Sequence, residues 1–205
     1  MFPNEVKDWL RLKQNQDGKI FVSTPFDKEY RAYKLMRLDL ELSMFAFSTY
    51  FNSLQEFNSL NPQNHSKEQS LLLHSLSIAG VLAYYKCFAE GKTRGVSLVS
   101  SVVYKKQDTL SLFHNKIKEI RNKYIAHSDS QMYEDFNYYW MFTDEDKFIQ
   151  MGVDNRVGGF DLEDMDIIYQ LIEVCENWLQ SKIDLLRKKM RDNVKSQYYK
   201  ELRLK

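Results

Sequence analysis

The sequence predicts an all-α fold: an antiparallel helical bundle with a small extended or β-hairpin insertion before its last long helix. Three observations carry this expectation. Apolar residues recur at helical spacing over most of the chain's 205 residues. The last such segment steps by three and four from Met165 through Ile168, Ile172, Cys175, Leu179, Ile183 and Leu186 to Met190, a heptad-like seam. Between the helical segments, Phe136 to Phe142 and Lys147 to Val153 lose that period and are rich in strand formers, with Thr143 to Asp146 between them.

Composition narrows the function classes. The length suits one domain with a real core, and a hydrophobic share of 43% is ordinary for a globular chain. A formal net charge of +1 sets up no global field that announces a polyanionic partner. Cys87 and Cys175 both sit in apolar helical patterns and read as small core residues, so no disulfide framework is expected and a reducing cytoplasm fits. Met1 to Glu5 carry no basic-then-apolar secretion signal, and no apolar run is long enough to span a bilayer; no membrane partner is expected.

In chain order, residues 1–26 form an N-terminal extension, with a short helix from Glu5 to Lys13 broken at Asn15 to Gly18. Residues 27–190 form the bundle. Its first helix runs from Asp27 to Leu54 with a broad aromatic face of Tyr30, Tyr33, Phe47, Tyr50 and Phe51, better suited to a core than to a cofactor. After a polar loop, Ser66 and Gln69 make a capping box for a helix reaching to Glu90. That helix is apolar nearly all round, which predicts the central, most buried position. Gly91 stops it, and Lys92 to Gly95 form a basic turn. Asp108 or Thr109 caps a fourth segment ending near Ser128 to Ser130. Residues 131–160 are an acidic, aromatic insertion: Gln131 to Asp166 hold ten carboxylates against Lys147 and Arg156. Asp161 opens the last helix, and residues 191–205 continue it as a basic tail.

The stretch from Ile117 to Asp129 carries the chemistry. Ile117, Ile120 and Tyr124 share one helix face, with Leu110 and Phe113 extending it backward. At about 100° per residue, Arg121 falls roughly 40° to one side of that stripe and His127 roughly 80° to the other. The two are six residues apart, which is about 9 Å along the axis. One helix therefore does not bring them onto one reactive atom, and a second copy of it is the simplest way to unite them.

Arg121-Asn122, then Lys123-Tyr124-Ile125-Ala126, then His127-Ser128-Asp129, resembles the signature of the HEPN superfamily, in particular its abortive-infection-like members. The resemblance covers Ser66 to Asp129 best and the last long helix more loosely. It implies a helical bundle that dimerises to build a composite, metal-independent endoribonuclease site without a cofactor, in a toxin or antiphage effector. By that resemblance Arg121, Asn122 and His127 are the catalytic residues. RNA rather than DNA is the implied substrate, a homodimer the implied assembly, and an antitoxin protein a further partner. One HEPN subgroup carries a tyrosine two residues after the histidine that a partner enzyme modifies; Asp129 stands there, against that mode of control.

The residue types suit the chemistry. RNA supplies its own nucleophile in the 2′-OH. A histidine titrating near neutrality serves the proton steps, and an arginine offers a fixed fork of donors for the extra phosphate charge. An amide such as Asn122 orients the phosphate or the histidine. Lys86, Lys92, Arg94 and Lys123 are the phosphate-contact residues, the basic turn being otherwise a solvated loop. The bland alternatives are an ion pair for Arg121, with Glu119 or a neighbouring helix, and a helix C-terminal cation for His127. His114 lies seven residues before Arg121 on the same face, either joining the site or packing in the bundle. A non-catalytic HEPN-like module binding RNA or protein is the alternative function. No Cys/His spacing supports zinc, and no glycine-rich loop or nucleophile elbow is present.

Overall fold

A computed structural model describes residues 4, 23–60, 66–90, 94–125, 136–142, 148–155 and 160–203, with side chains at 123–125, 136–142, 148–155 and 201–203 left aside. These residues are mostly α-helical. In order they form α1 (Asp27–Ser59), α2 (Lys67–Tyr85), a short α3 (Ser100–Val103), α4 (Asp108–Glu119), a π-helical turn (Ile120–Ile125), strands β1 (Phe136–Phe142) and β2 (Phe148–Asn155), a 3-10 turn (Leu162–Asp164) and α5 (Met165–Arg203). β1 and β2 pair antiparallel, with Trp140 opposite Met151 and a register shift between Met141 and Phe142. None of the described helices is long and apolar enough to cross a membrane.

The chain divides into two compact units. The first comprises residues 1–37, 90–96 and 177–205, the second 38–89 and 97–176. Their charge differs sharply: the first holds 19 Lys and Arg against 9 Asp and Glu, the second 10 against 19. The near-neutral whole thus averages a strongly basic unit with a strongly acidic one.

In the first unit, the start of α1 packs against the later part of α5. Tyr33 meets Trp178 edge-on at 6.0 Å, and the Arg37 guanidinium donates to Gln180 at 2.8 Å. Ile183, Leu186 and Tyr198 are buried there. The last helix, α5, continues past Leu186 to Arg203, so most of the basic tail is helical.

In the second unit, Leu40, Tyr50 and Phe51 of α1 are buried with Phe47 at spacings of seven, three and four residues from it, as a helix core face requires. α2 begins with the capping box: the Ser66 hydroxyl accepts from the Gln69 amide at 3.1 Å, and the Gln69 side chain accepts from the Ser66 amide at 3.1 Å. α2 is less central than its composition suggests, because Leu71, Leu72 and Leu82 are exposed; only Leu73, Ser77, Gly80, Val81, Ala83 and Tyr84 form its buried face. Gly80 lets α1 approach closely, since a Cβ there would lie 2.9 Å from three atoms of the Phe47 ring. Ser43 completes the contact by donating to the Gly80 carbonyl at 2.9 Å. The α5 seam residues Ile168, Ile172 and Cys175 are buried, and Tyr50 donates to the Phe160 carbonyl at 2.7 Å just before α5. Lys116 of α4 fixes the same junction through Asp164, at 3.0 and 3.2 Å.

Candidate functional site

On α4, Leu110, His114 and Ile117 step by four and three and are all buried. His114 is only 4% exposed, enclosed by the rings of Tyr84, Tyr85, Phe88 and Tyr104. A buried imidazole needs a partner, because an unsatisfied polar group in such a setting costs of order 1–3 kcal/mol. Here its Nδ1 lies 2.8 Å from the Tyr84 hydroxyl. That hydroxyl lies 2.7 Å from Tyr104 Oη, and Tyr104 Oη lies 2.8 Å from the Cys175 sulfur.

Burial sets the charge state of this network. It pushes His114 down to about 4, with the Lys118 charge adding to the effect. Burial raises both tyrosines and pushes the Cys175 thiol up to about 12. At neutral pH all four groups are uncharged, and the Tyr84 hydroxyl and His114 Nδ1 share one hydrogen bond whose direction follows the imidazole tautomer. His114 is therefore a satisfied core histidine, held neutral and away from solvent.

Beside it stands the arginine. α4 ends at Glu119, and the chain continues through Ile120–Ile125 as a π turn, wound with i→i+5 hydrogen bonds. The expectation of a regular α-helix to Ser128 is thus corrected over this turn. Arg121 and Asn122 sit half-buried within it. The Arg121 guanidinium donates to the Asn122 side-chain carbonyl at 2.9 Å and lies 5.4 Å from the centre of the Tyr85 ring. Tyr85 in turn stacks on His114 at 6.4 Å with 24° between planes. Among the described residues no carboxylate pairs with Arg121, and its partners there are an amide and an aromatic face. An amide and an aromatic face hold it at a cost in charge far below that of a salt bridge.

His127 and Lys92 lie outside the described residues, and Lys123 contributes backbone to the π turn with its side chain likewise outside them. Lys86 sits at the C-cap of α2 and pairs with Asp39 at 3.2 Å, so its charge is already partnered. Arg94 belongs to the first unit, where it lines an open recess with Lys28 and Arg31 of α1.

Three contributors escaped the sequence reading. Tyr85 is one of two adjacent tyrosines at the end of α2, and nothing local marks it as the platform for Arg121. Lys28 and Arg31 alternate with Asp27 and Glu29, a mixed-sign pattern that reads as a solvated helix start. No protein-family model, curated protein or solved structure matches this chain.

Proposed function

We propose that the chain is a metal-independent endoribonuclease of HEPN type, a homodimer whose paired signature helices build a composite site from Arg121, Asn122 and His127. In this reading the helices form a HEPN-like bundle, and the paired segments Phe136–Phe142 and Phe148–Asn155 are an insertion into it. The observation that carries the reading is the state of Arg121: held by Asn122 and Tyr85, with no carboxylate partner among the described residues. A preorganised guanidinium is what a phosphate gaining negative charge requires.

The chemistry is an in-line displacement. His127 takes the proton of the ribose 2′-OH, and the oxygen attacks the adjacent phosphorus. The protonated His127 then returns that proton, through water, to the leaving 5′-oxygen, giving a 2′,3′-cyclic phosphate and a 5′-OH. Arg121 balances the charge of the five-coordinate phosphorus, and Asn122 keeps the guanidinium aimed. Such an activity suits a toxin or phage-defence effector restrained by an antitoxin protein.

The polarised charge of the two units favours a second reading, a non-catalytic module that binds RNA through its basic unit. Incubation of the protein with total RNA and tRNA in EDTA separates the two. The nuclease reading expects cyclic-phosphate ends, with rates falling on the order of 10²-fold or more in Arg121→Ala and His127→Ala. Cleavage unchanged in both variants contradicts it. RNA binding without cleavage by the folded wild-type chain selects the binding module.

A further inference from the structure

We infer that the start of α1 and the Arg94-Gly95 segment form an anchoring site for the phosphodiester backbone of a single-stranded polynucleotide, made of none of the residues of the proposed cleavage site. Lys28 and Arg31, one turn apart on α1, line an open recess of about 600 Å³ together with Arg94. That volume lies in the range of natural ligand sites. Ser23 adds a hydroxyl to the lining, and Ala32 and Leu35 give it an apolar edge on which a ribose or base can rest.

Lys28 and Arg31 keep their charge in the recess. The carboxylate in its lining, Asp27, is occupied by Thr24: the Thr24 amide donates to one oxygen at 3.2 Å and the Thr24 hydroxyl to the other at 2.5 Å. Glu29, the other acid of the first turn, is engaged by the Tyr33 hydroxyl. Lys28 and Arg31 are exposed, and neither takes part in an ion pair among the described residues. The end of Lys28 also lies beside Gly95. Gly95 adopts a left-handed φ of +71°, and a Cβ there would lie 3.1 Å from both Cε and Nζ of Lys28. The ammonium thus lies over a glycine backbone that leaves room for it.

Two features select a polynucleotide over other phosphates. The unit carries 19 Lys and Arg against 9 Asp and Glu, far more charge than one phosphate group neutralises, so a repeating anion fits it better than a small metabolite. The cations converge in a recess instead of forming a convex basic and apolar face, which suits a strand laid into it better than a membrane surface.

The test measures binding of the full-length chain to a single-stranded 2′-O-methyl RNA oligonucleotide. That probe lacks the nucleophile for cleavage, so the outcome is independent of the nuclease reading. Association is followed by fluorescence anisotropy over a range of salt. Removing Lys28 and Arg31 (K28Q/R31Q) is expected to weaken binding on the order of tenfold and to flatten the salt slope by about 1.4, two cations at about 0.7 each. Adding Arg94→Gln is expected to bring the loss of slope to about 2. The exposed pair Lys67 and Lys105 of the acidic unit, replaced by Gln, should leave the slope unchanged. Vesicles of phosphatidylcholine and phosphatidylserine serve as the competing anion. An unchanged slope in K28Q/R31Q, an equal fall in the control pair, or binding to vesicles but not to RNA each overturns the proposal.

Discussion

At the scale of single residues, the account turns on Arg121 and His114. Arg121 is held through two directions of its planar fork, to the Asn122 carbonyl and over the Tyr85 ring. A lysine cannot reproduce both. Arg121→Lys should therefore lower the rate of RNA cleavage by roughly tenfold or more while leaving the urea midpoint within a few tenths of a molar of wild type; equal rates would mean that charge alone suffices. His114 gives a pH prediction. Its folded pKa of about 4 lies below the ordinary 6.5, so the unfolded chain takes up the proton first as pH falls. The stability it provides is complete above about 6.5 and drains away between there and about 4, by roughly 2 kcal/mol after allowance for partial solvent screening. His114→Asn, which offers Tyr84 both a donor and an acceptor, should flatten that part of the curve of urea midpoint against pH. At this scale the sequence was informative where a residue's role follows from its own helix: Arg121-Asn122 was legible as a pair. Lys28 and Arg31 were not, because their significance depends on Arg94, which reaches them from a distant part of the chain.

At the scale of elements, helical periodicity located α1, α2, α4 and α5, and the Ser66/Gln69 capping box marked the start of α2. The ends were less legible. α1 runs to Ser59 because no proline or glycine interrupts it, and α5 runs to Arg203 although its apolar pattern thins after Leu186. The π turn at Ile120–Ile125 had no local signal, since i→i+5 winding changes the hydrogen bonds and not the residue types that a helix prefers. The burial of α2 was overestimated because composition counts apolar residues and not the neighbours available to cover them: Leu71, Leu72 and Leu82 remain exposed. The α1–α2 contact provides a prediction at this scale. The Phe47 ring that faces Gly80 is itself packed against Phe51 and Phe160, so it cannot swing aside. Gly80→Ala should destabilise the chain by about 1–3 kcal/mol, the usual cost of overpacking, seen as a lower urea midpoint with an unchanged slope. An unchanged midpoint would show that the helices can separate without cost.

At the scale of the whole chain, net charge was the least informative quantity in the sequence. A value of +1 concealed a unit with a ten-charge excess of cations and another with a nine-charge excess of anions. The two could not be told apart along the chain because each is assembled from separated segments, and α1 and α5 each contribute to both. The homodimer is a whole-molecule proposal, motivated by the six-residue separation of Arg121 and His127 in the sequence. Subunit mixing tests it most directly. Arg121→Ala and His127→Ala, each inactive alone, are mixed, allowed to exchange, and assayed for RNA cleavage in EDTA. A site composed of both copies predicts recovery of about a quarter of wild-type activity, because half of the dimers are mixed and each of those holds one intact site of two. No recovery after demonstrated subunit exchange would contradict a composite site.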